Sequence, residues 1–417
     1  MYRHDESPSR ITITNHQYMN ICIITSSFPS HSGDFAQAPF LINFIEGLER
    51  RGHQVFIFTQ DREEKKEEFL EGVKVNWFPW MGSKRPLVHL NPFHPLDCIR
   101  IGSLFFNGNR ALFPFVNNHK IDVCLALWVL PSGYFANQAY RRAKIPYSVW
   151  ALGSDIYQLG RNPFLYPIMK RILHEAKSVF ADGFDLAKKV EDRFQRKCFF
   201  LATTRKIPPL PPLVKGGAAV QSQTMAPDGW GDLASKPYRF LFVGRLEKVK
   251  GIDLLLHSMV LLKGEGLDFN LNIVGRGGME EWARHFINKN ALEERITFMG
   301  NVDDKALAFL YASSDCVVIP SRSESIPLVF SEALKFEKEL IVTDVGDMGM
   351  LSRQYGVAWV IPPEDPMALK EMMKQRIESK DDEKMASPAP NGVNGKRAEL
   401  KHLFNIEISV ERFLADY

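Results

Sequence analysis

Short runs of β-branched and aromatic residues alternate with helically patterned segments along this chain, and most of the runs are apolar throughout. A half-exposed strand would alternate apolar and polar residues. An uninterrupted apolar run needs cover on both faces. Strands separated by helices give βαβ units and a parallel sheet clothed on both sides. The chain is therefore expected to be α/β. The expected strands of the first stretch are Ile21–Thr25, Val55–Thr59, Val73–Phe78, Asp122–Trp128, Tyr147–Ala151, Ser178–Ala181 and Cys198–Leu201. Between the first two, Phe40, Leu41, Phe44, Ile45 and Leu48 recur at helical spacing, and Gly52 follows as a stop.

The alternation then breaks. Residues 205–236 hold a proline-rich run from Ile207 to Leu213, then Gly216 and Gly217, with few periodic apolar residues. Such a stretch favours extended conformations and reads as a spacer. Strands resume at Tyr238–Val243, Phe269–Val274, Arg295–Phe298, Asp315–Ile319, Leu340–Thr343 and Val357–Val360, with helices at Ile252–Leu262 and Met279–Asn290 among them. The expected organisation is a disordered extension over 1–18, an α/β half over 19–204, a linker over 205–236 and a second α/β half over 237–378. Loop follows over 379–417, closing with an amphipathic helix from Ile408 to Tyr417. Met19 stands directly before the first apolar run. Two open parallel sheets joined by one linker place a cleft between them, and such sheets bind ligands at the carboxyl ends of their strands.

Charge and cysteine content narrow the function classes. Lys plus Arg is 52 and Asp plus Glu 49, a net charge of +3, which argues against a nucleic-acid partner. The five cysteines, Cys22, Cys98, Cys124, Cys198 and Cys316, are widely spaced and form no Cys-x-x-Cys. They read as small buried residues of a protein in a reducing cytoplasm. No segment reaches the roughly 18 apolar residues of a membrane span. Lys84, Arg85, Arg100 and Arg110 flank Phe93, Phe105, Phe106, Phe113 and Phe115. Cations beside apolar rings suit peripheral contact with anionic lipid, and equally a surface helix packed on the first half.

The richest chemistry lies from Pro320 to Leu334. A strand ends at Ile319, and Pro327 suits the first turn of a following helix. Backbone N–H groups around Ser325, Ile326 and Leu328 then face outward at the helix start, where an anion is favoured. Glu324 lies in the loop and Glu332 inside the helix; each carboxylate can accept from paired sugar hydroxyls. A second stretch runs from Phe242 through Gly244, Arg245 and Lys250 to Ile252. It sends two cations from a strand's carboxyl end, Arg suited to bidentate phosphate contact and Lys to a compact charge. Glycine turns follow at Gly275 and Gly300, and polar loops at Thr25–Asp34 and Trp150–Ile156 end strands of the first half. Taken singly, each has a plain structural reading: a helix cap, a solvated carboxylate, surface cations, a tight turn.

Together and in this order, these motifs are similar to those of one family. Glu324 and Glu332 show Glu-x7-Glu spacing after Pro320-Ser321, Val243 to Leu246 is paired with Lys250-Gly251, and Phe298 to Asn301 and Asp315 to Ser321 also match. The chain resembles the retaining glycosyltransferases of the two-Rossmann (GT-B) type, family four, also described as glycosyl transferases group 1. The resemblance covers about residues 20–378 and the last helix. It implies two Rossmann-like domains facing across a cleft and transfer of a hexose from a nucleotide diphosphate sugar, with retention, to a carbohydrate or lipid-linked acceptor. It implies Arg245, Lys250 and Glu324 as catalytic residues, the cations on the diphosphate and Glu324 on the donor sugar. Glu332 would hold the ribose. Gly244, Gly275 and Gly300 would line the nucleotide site, with Ser325, Ile326 and Leu328 at the phosphates. Gly33, Asp34, Ser154 and Asp155 would lie on the acceptor side. No cofactor and no metal are expected.

The chain departs from the family pattern at several positions. Leu152 stands where a histidine usually precedes Gly-Ser-Asp, and Leu127 replaces a second common histidine; His31 and His119 lie elsewhere. The usual glycine pair of the first loop is the lone Gly33, and Pro327 removes one N–H from the phosphate turn. Two other readings stay open at this stage: a sugar-nucleotide epimerase, and a catalytically silent sugar-nucleotide-binding protein.

No Asp-x-Asp occurs in the chain. Magnesium sites beside substrate phosphates need one or two carboxylates, and both candidates are assigned to hydroxyls. Initial rates of transfer are therefore expected to be the same with and without excess chelator. Loss of activity restored by added Mg²⁺ or Mn²⁺ would overturn that expectation.

Overall fold

The computed structural model describes residues 18–30, 38–62, 70, 72–82, 87, 90–91, 94–157, 159–208, 237–379 and 394–417. The expected extension before Tyr18, the loop carrying His31, Gly33 and Asp34, residues Lys84, Arg85 and Phe93, and segments 209–236 and 380–393 lie outside the described residues.

The strands of the first half are β1 (Asn20–Ile24), β2 (Gln54–Gln60), β3 (Lys74–Phe78), β4 (Val123–Leu127), β5 (Tyr147–Ala151), β6 (Ser178–Ala181) and β7 (Phe199–Phe200). They pair parallel in the order β3-β2-β1-β4-β5-β6-β7. Every residue of β4 and β5 is buried, as their unbroken apolar sequences require. The helices of this half are α1 (Phe40–Glu49), α2 (Pro95–Asn118), α3 (Tyr134–Ala143), the short α4 (Ser154–Tyr157), α5 (Tyr166–Glu175) and α6 (Phe184–Phe194).

The second half repeats the plan. Strands β8 (Tyr238–Val243), β9 (Phe269–Val274), β10 (Ile296–Gly300), β11 (Cys316–Ile319), β12 (Glu339–Thr343) and β13 (Trp359–Ile361) pair parallel in the order β10-β9-β8-β11-β12-β13. Helices α7 (Ile252–Gly264), α8 (Glu280–Lys289), α9 (Asp304–Ser313), α10 (Leu328–Lys335), α11 (Met348–Tyr355) and α12 (Pro366–Glu378) clothe it. In each sheet the order reverses once, between β1 and β4 and between β8 and β11. Loops leaving those strand pairs diverge and open a crevice, which is where open α/β sheets hold ligands. The architecture is that of two Rossmann-like domains, the GT-B fold.

Three local expectations are corrected. Pro327 is not in the first helical turn. It is the extended residue before α10 (φ −72°, ψ 147°), and the helix starts at Leu328. The stretch after 379 is not loop up to the last helix: α13 (Asn394–Leu403) precedes α14 (Ile406–Leu414). The polar composition of α13 hides it, because its buried apolar residues reduce to Leu400 with Phe404 just beyond. The last helix begins at Ile406 rather than Ile408, capped by the Asn405 side chain on the Glu407 N–H.

The chain's end returns to the first half. Ile406, Val410, Phe413 and Leu414 are buried in the same apolar cluster as Phe40, Leu41, Phe44 and Leu48 of α1. Phe413 meets Phe44 edge-on at 5.9 Å. Above this contact Glu407 bonds Arg50 and Arg51 at 2.6 Å and Lys206 at 3.2 Å. Against the opposing effect of burial, Arg51, Lys206 and Arg50 hold the Glu407 carboxyl down at about 2. Its folded value lies below its ordinary one, so the stability it lends is present at neutral pH and is lost as pH falls from 4.5 toward 2.

Packing outweighs this partly exposed network. Phe413→Ala is expected to cost about 3–5 kcal/mol, and Glu407→Gln about 1 kcal/mol or less. Urea unfolding followed by circular dichroism checks the order; equal losses would show that the ion network holds the helix.

Candidate functional site

The second half's crevice is built by two loops locked to each other. The turn Lys248–Lys250 follows β8, and the loop Pro320–Pro327 follows β11. Gly251 closes the first loop at φ +72°, and a Cβ there would lie 1.9 Å from the Pro320 carbonyl oxygen. Only glycine allows that approach at that angle. Arg322 adds a second lock. Its guanidinium takes both oxygens of Asp253, in the first turn of α7, at 2.7 and 2.9 Å, and its backbone N–H donates to the Val249 carbonyl. Burial opposes ionisation of Asp253, but the Arg322 bonds win and lower its pKa. The sequence reading passed over Arg322; the doubly charged Pro320–Glu324 loop was its only signal.

These locks bring Lys250 and Glu324 together. Lys250 Nζ lies 2.5 Å from Glu324 Oε1, and the Ser321 hydroxyl donates to the same oxygen at 2.9 Å. Both residues are largely withdrawn from solvent, which strengthens their attraction. Arg245, at the end of β8, is exposed and has no side-chain partner among the described residues. Gly244, Gly275 and Gly300 lie side by side at the ends of β8, β9 and β10: Gly244 N–H donates to Val274 and Gly275 N–H to Gly300, at 3.0 and 2.7 Å. Ile326 is buried among core residues of its own half. Leu328, like Leu152 and Trp128, packs against the apolar cluster of the first half.

Glu332 does not join this group. It is 2% exposed, and the Tyr311 hydroxyl donates to its Oε2 at 2.7 Å. Burial raises its pKa, while the Arg205 charge opposes the rise. With Oε2 committed, ribose hydroxyls would have Oε1 alone.

On the acceptor side Ser154 is exposed at the start of α4. Asp155, also expected on the acceptor side, follows it in α4. It is 2% exposed, and its carboxylate accepts the Val129 N–H at 2.6 Å and the Ile156 N–H at 3.0 Å. It thereby ties the loop after β4 to the loop after β5. Burial lifts its pKa to about 6 against those bonds. Leu127 is fully buried within β4. His119 supplies no missing histidine: its carbonyl accepts from Asn20 at the start of β1, the end of the sheet away from the crevice. Asp182 and Asp347 were missed altogether, since neither stands in a recognisable motif. Among the described residues no group of three or more His, Cys, Asp or Glu could hold a metal ion, and no helix is long and apolar enough to cross a membrane.

Residues 231–392 match the family described as Glycosyl transferases group 1, and residues 34–183 match Glycosyl transferase 4-like. An uncharacterised glycosyltransferase of Methanocaldococcus jannaschii is 33% identical over 123 residues, 29% of this chain and 31% of that one. The alpha-D-kanosaminyltransferase of Streptomyces kanamyceticus is 26% identical over 123 residues, 30% and 32% of the two chains. The matches to the first relatives thus span 27–44% of those proteins' length. Among solved structures, sucrose-phosphate synthase of Thermosynechococcus elongatus superposes with TM-score 0.69 at 18% identity, covering 95% of this chain and 97% of that one. Anabaena HepE in complex with UDP-glucose gives 0.68 at 15%, covering 95% and 98%. At these identities the superpositions speak for the fold.

Gly251→Ala is expected to destabilise by about 1–3 kcal/mol, the usual cost of a strained backbone position, and to separate Lys250 from Glu324. A melting curve with and without nucleoside diphosphate reads both effects; an unshifted curve with intact binding would show that the loops are not locked there.

Proposed function

The chain belongs to the glycosyl transferases group 1 family, and on that premise we propose that it transfers a hexose from a nucleotide diphosphate sugar, with retention, to a carbohydrate or lipid-linked acceptor. The observation that carries the reading is the Lys250–Glu324 pair at the reversal point of the second sheet, with Arg245 unpartnered beside it. The pair is suited to exchange partners. A bound diphosphate takes Lys250 and Arg245, and the freed Glu324 accepts from hydroxyls of the donor sugar.

In the transfer step the bond from the anomeric carbon to the diphosphate oxygen breaks. The bond to the acceptor oxygen forms on the same face, and the acceptor's proton passes to the leaving diphosphate. Charge therefore grows on the diphosphate, where fixed cations stabilise it more than in the ground state. Closing donor and acceptor into one cleft supplies the orientation term. The ribose would lie against Glu332 Oε1. The UDP-glucose bound by Anabaena HepE supports a uridine donor as the first to test.

An acceptor borne on a membrane fits the surface of α2. Leu96, Ile99 and Phe106 are 56%, 53% and 68% exposed along one side of this helix, and Arg110 is exposed on that side too. A face of this kind suits the boundary of an anionic bilayer.

Uridine, guanosine, adenosine and thymidine diphosphates should be compared for thermal stabilisation, because a ligand that binds only the native state raises the melting temperature. The stabilising nucleotide's sugar conjugates then serve as donors. Lys250→Ala and Arg245→Ala are each expected to lower kcat/KM by an amount worth about 2–4 kcal/mol. Near-normal kcat/KM in both variants would sink the proposed diphosphate site.

A further inference from the structure

The two halves also touch at the loop after β6 and the loop before α11. Helix α6 belongs to the first half, and its start faces the loop before α11 of the second. Asp347 stands at the head of α11, where a side chain would ordinarily cap its own helix, yet it makes no cap bond there. Its carboxylate instead lies on the start of α6. Oδ1 and Oδ2 accept the Asp185 N–H at 3.0 and 3.2 Å, and the Phe184 N–H also bonds the carboxylate. Asp347 is 2% exposed. Free N–H groups and the positive end of the helix dipole are thus met by a carboxylate from the other domain.

The fit leaves no slack. A Cβ on Gly183 would lie 2.2 Å from Ser325 Oγ and 2.5 Å from Asp347 Oδ2. On the far side, a Cβ on Gly346 would lie 2.1 Å from the Glu324 carbonyl oxygen. The Glu324–Ser325 loop is therefore held between the first half at Gly183 and the second half at Gly346. Next to Gly183, Asp182 faces Ser325, and its Oδ1 is buried without a partner among the described residues.

We propose that Asp347 is an interdomain latch: it caps α6 across the cleft, holds the halves closed over the Glu324–Ser325 loop, and closes fully when Asp182 takes up a proton. Two acids with raised pKa, Asp182 and Asp347, meet at this contact. Asp182 is pushed up to about 7 by burial, with the facing Ser325 hydroxyl opposing, and by the charges of Asp155, Glu324 and Asp347. Burial lifts Asp347 only to about 6, because the Asp185 and Phe184 N–H bonds favour its charge. The other charges facing the contact are already engaged. Asp185 pairs with Lys189 and accepts from the Tyr157 hydroxyl, Glu324 pairs with Lys250, and Asp344 pairs with Arg353. Cys198 adds a thiol whose pKa burial raises.

The sign follows from these positions. An acid whose pKa is raised on closure makes closure take up a proton. The closed form is favoured below pH 7 and loosens as pH rises through 7, where Asp182 ionises beside Asp347 and Glu324. Between about pH 6 and 7 Asp347, the stronger acid, is still the charged acceptor of the α6 N–H groups.

The latch does not depend on the transfer reading, and its test measures shape, not turnover. Small-angle scattering of the full chain should show the radius of gyration growing as pH rises through 7. Asp182→Asn should stay compact across the window. Asp347→Ala should scatter as the open form at both ends, and Asp347→Asn, which keeps one acceptor oxygen, should restore the compact form. Gly183→Ala is the wedge. Its backbone is extended at φ −156°, so alanine suits its own chain and only the cross-cleft contact suffers. Melting curves verify that each variant is folded. Wild-type scattering from Asp347→Ala and Gly183→Ala, or an unchanged pH response in Asp182→Asn, would overturn the proposal.

Discussion

Parallel pairing with both faces buried governs where this molecule can keep its polar chemistry. The interiors of β4, β5 and β11 have no exposed residue. A charge within such a strand would go unpaired in the core. Polar side chains are thus displaced to strand ends, and the order reversals at β1/β4 and β8/β11 decide which ends leave room for a ligand. Lys250 and Glu324 follow the two strands that flank the second reversal. Arg322 and Gly251 matter because they turn that topological coincidence into one ion pair at 2.5 Å.

Charge is buried a second time at the hinge. The first crossing of the chain between halves passes through Ala202–Lys206. The Lys335 ammonium holds this segment by donating to Thr204 Oγ1 and the Arg205 carbonyl, and Arg205 pairs with Asp304. Glu332 sits behind it, bonded to Tyr311 and stabilised in its charged form by Arg205. Removing one member would leave another charge buried and unpaired, which costs more than the intact group gains. Glu332 therefore has a structural reason to be where it is, apart from any ribose. The return crossing, between α13 and α14, is fastened by Glu407 to Arg51 and to Lys206 of the first crossing. Glu407 thus links the two segments that pass between the halves.

Much of this was legible before any coordinates, and the reasons differ by element. Tyr147–Ala151, Ser178–Ala181, Tyr238–Val243 and Phe269–Val274 were read to the residue, because continuous apolar runs bounded by polar turns leave little freedom. Edges such as β7 and β13 shifted by a residue or two, since few hydrogen bonds fix them. Helix α13 was invisible: a polar helix that buries little looks like a loop until its docking partner is known. Lys250 and Glu324 were legible as residues but not as a pair, because their contact spans 74 positions. Asp155 shows a related limit. A carboxylate at a strand end suits a ligand or a loop staple equally, and its bond from the Val129 N–H could not be read from the sequence. Asp182 and Asp347 gave no signal, because a cross-domain cap has no local sequence form.

The positions where the family usually carries histidine gain a different meaning beside that cap. Leu127 is sealed inside β4, so a polar ring there would need to leave the sheet to act. Leu152 is half-buried in the apolar cluster that Leu328 reaches from α10 and Trp128 borders. Through Leu328 the two halves meet in apolar contact, which favours closure wherever water is excluded and carries no charge to titrate. A histidine there would be protonated in part near neutral pH, and it would neutralise the same acids that oppose full closure. With leucine in its place, Asp182, Asp347 and Glu324 face one another with Lys250 and Lys189 as the nearest paired cations. The first half then contributes an apolar wall and Asp182, and the second half contributes Asp347 and the Lys250–Glu324 pair. Ionised Asp182 would meet those carboxylates across the cleft, so like charge opposes full closure until Asp182 is protonated, and the apolar wall is the part of the contact that does not change with pH.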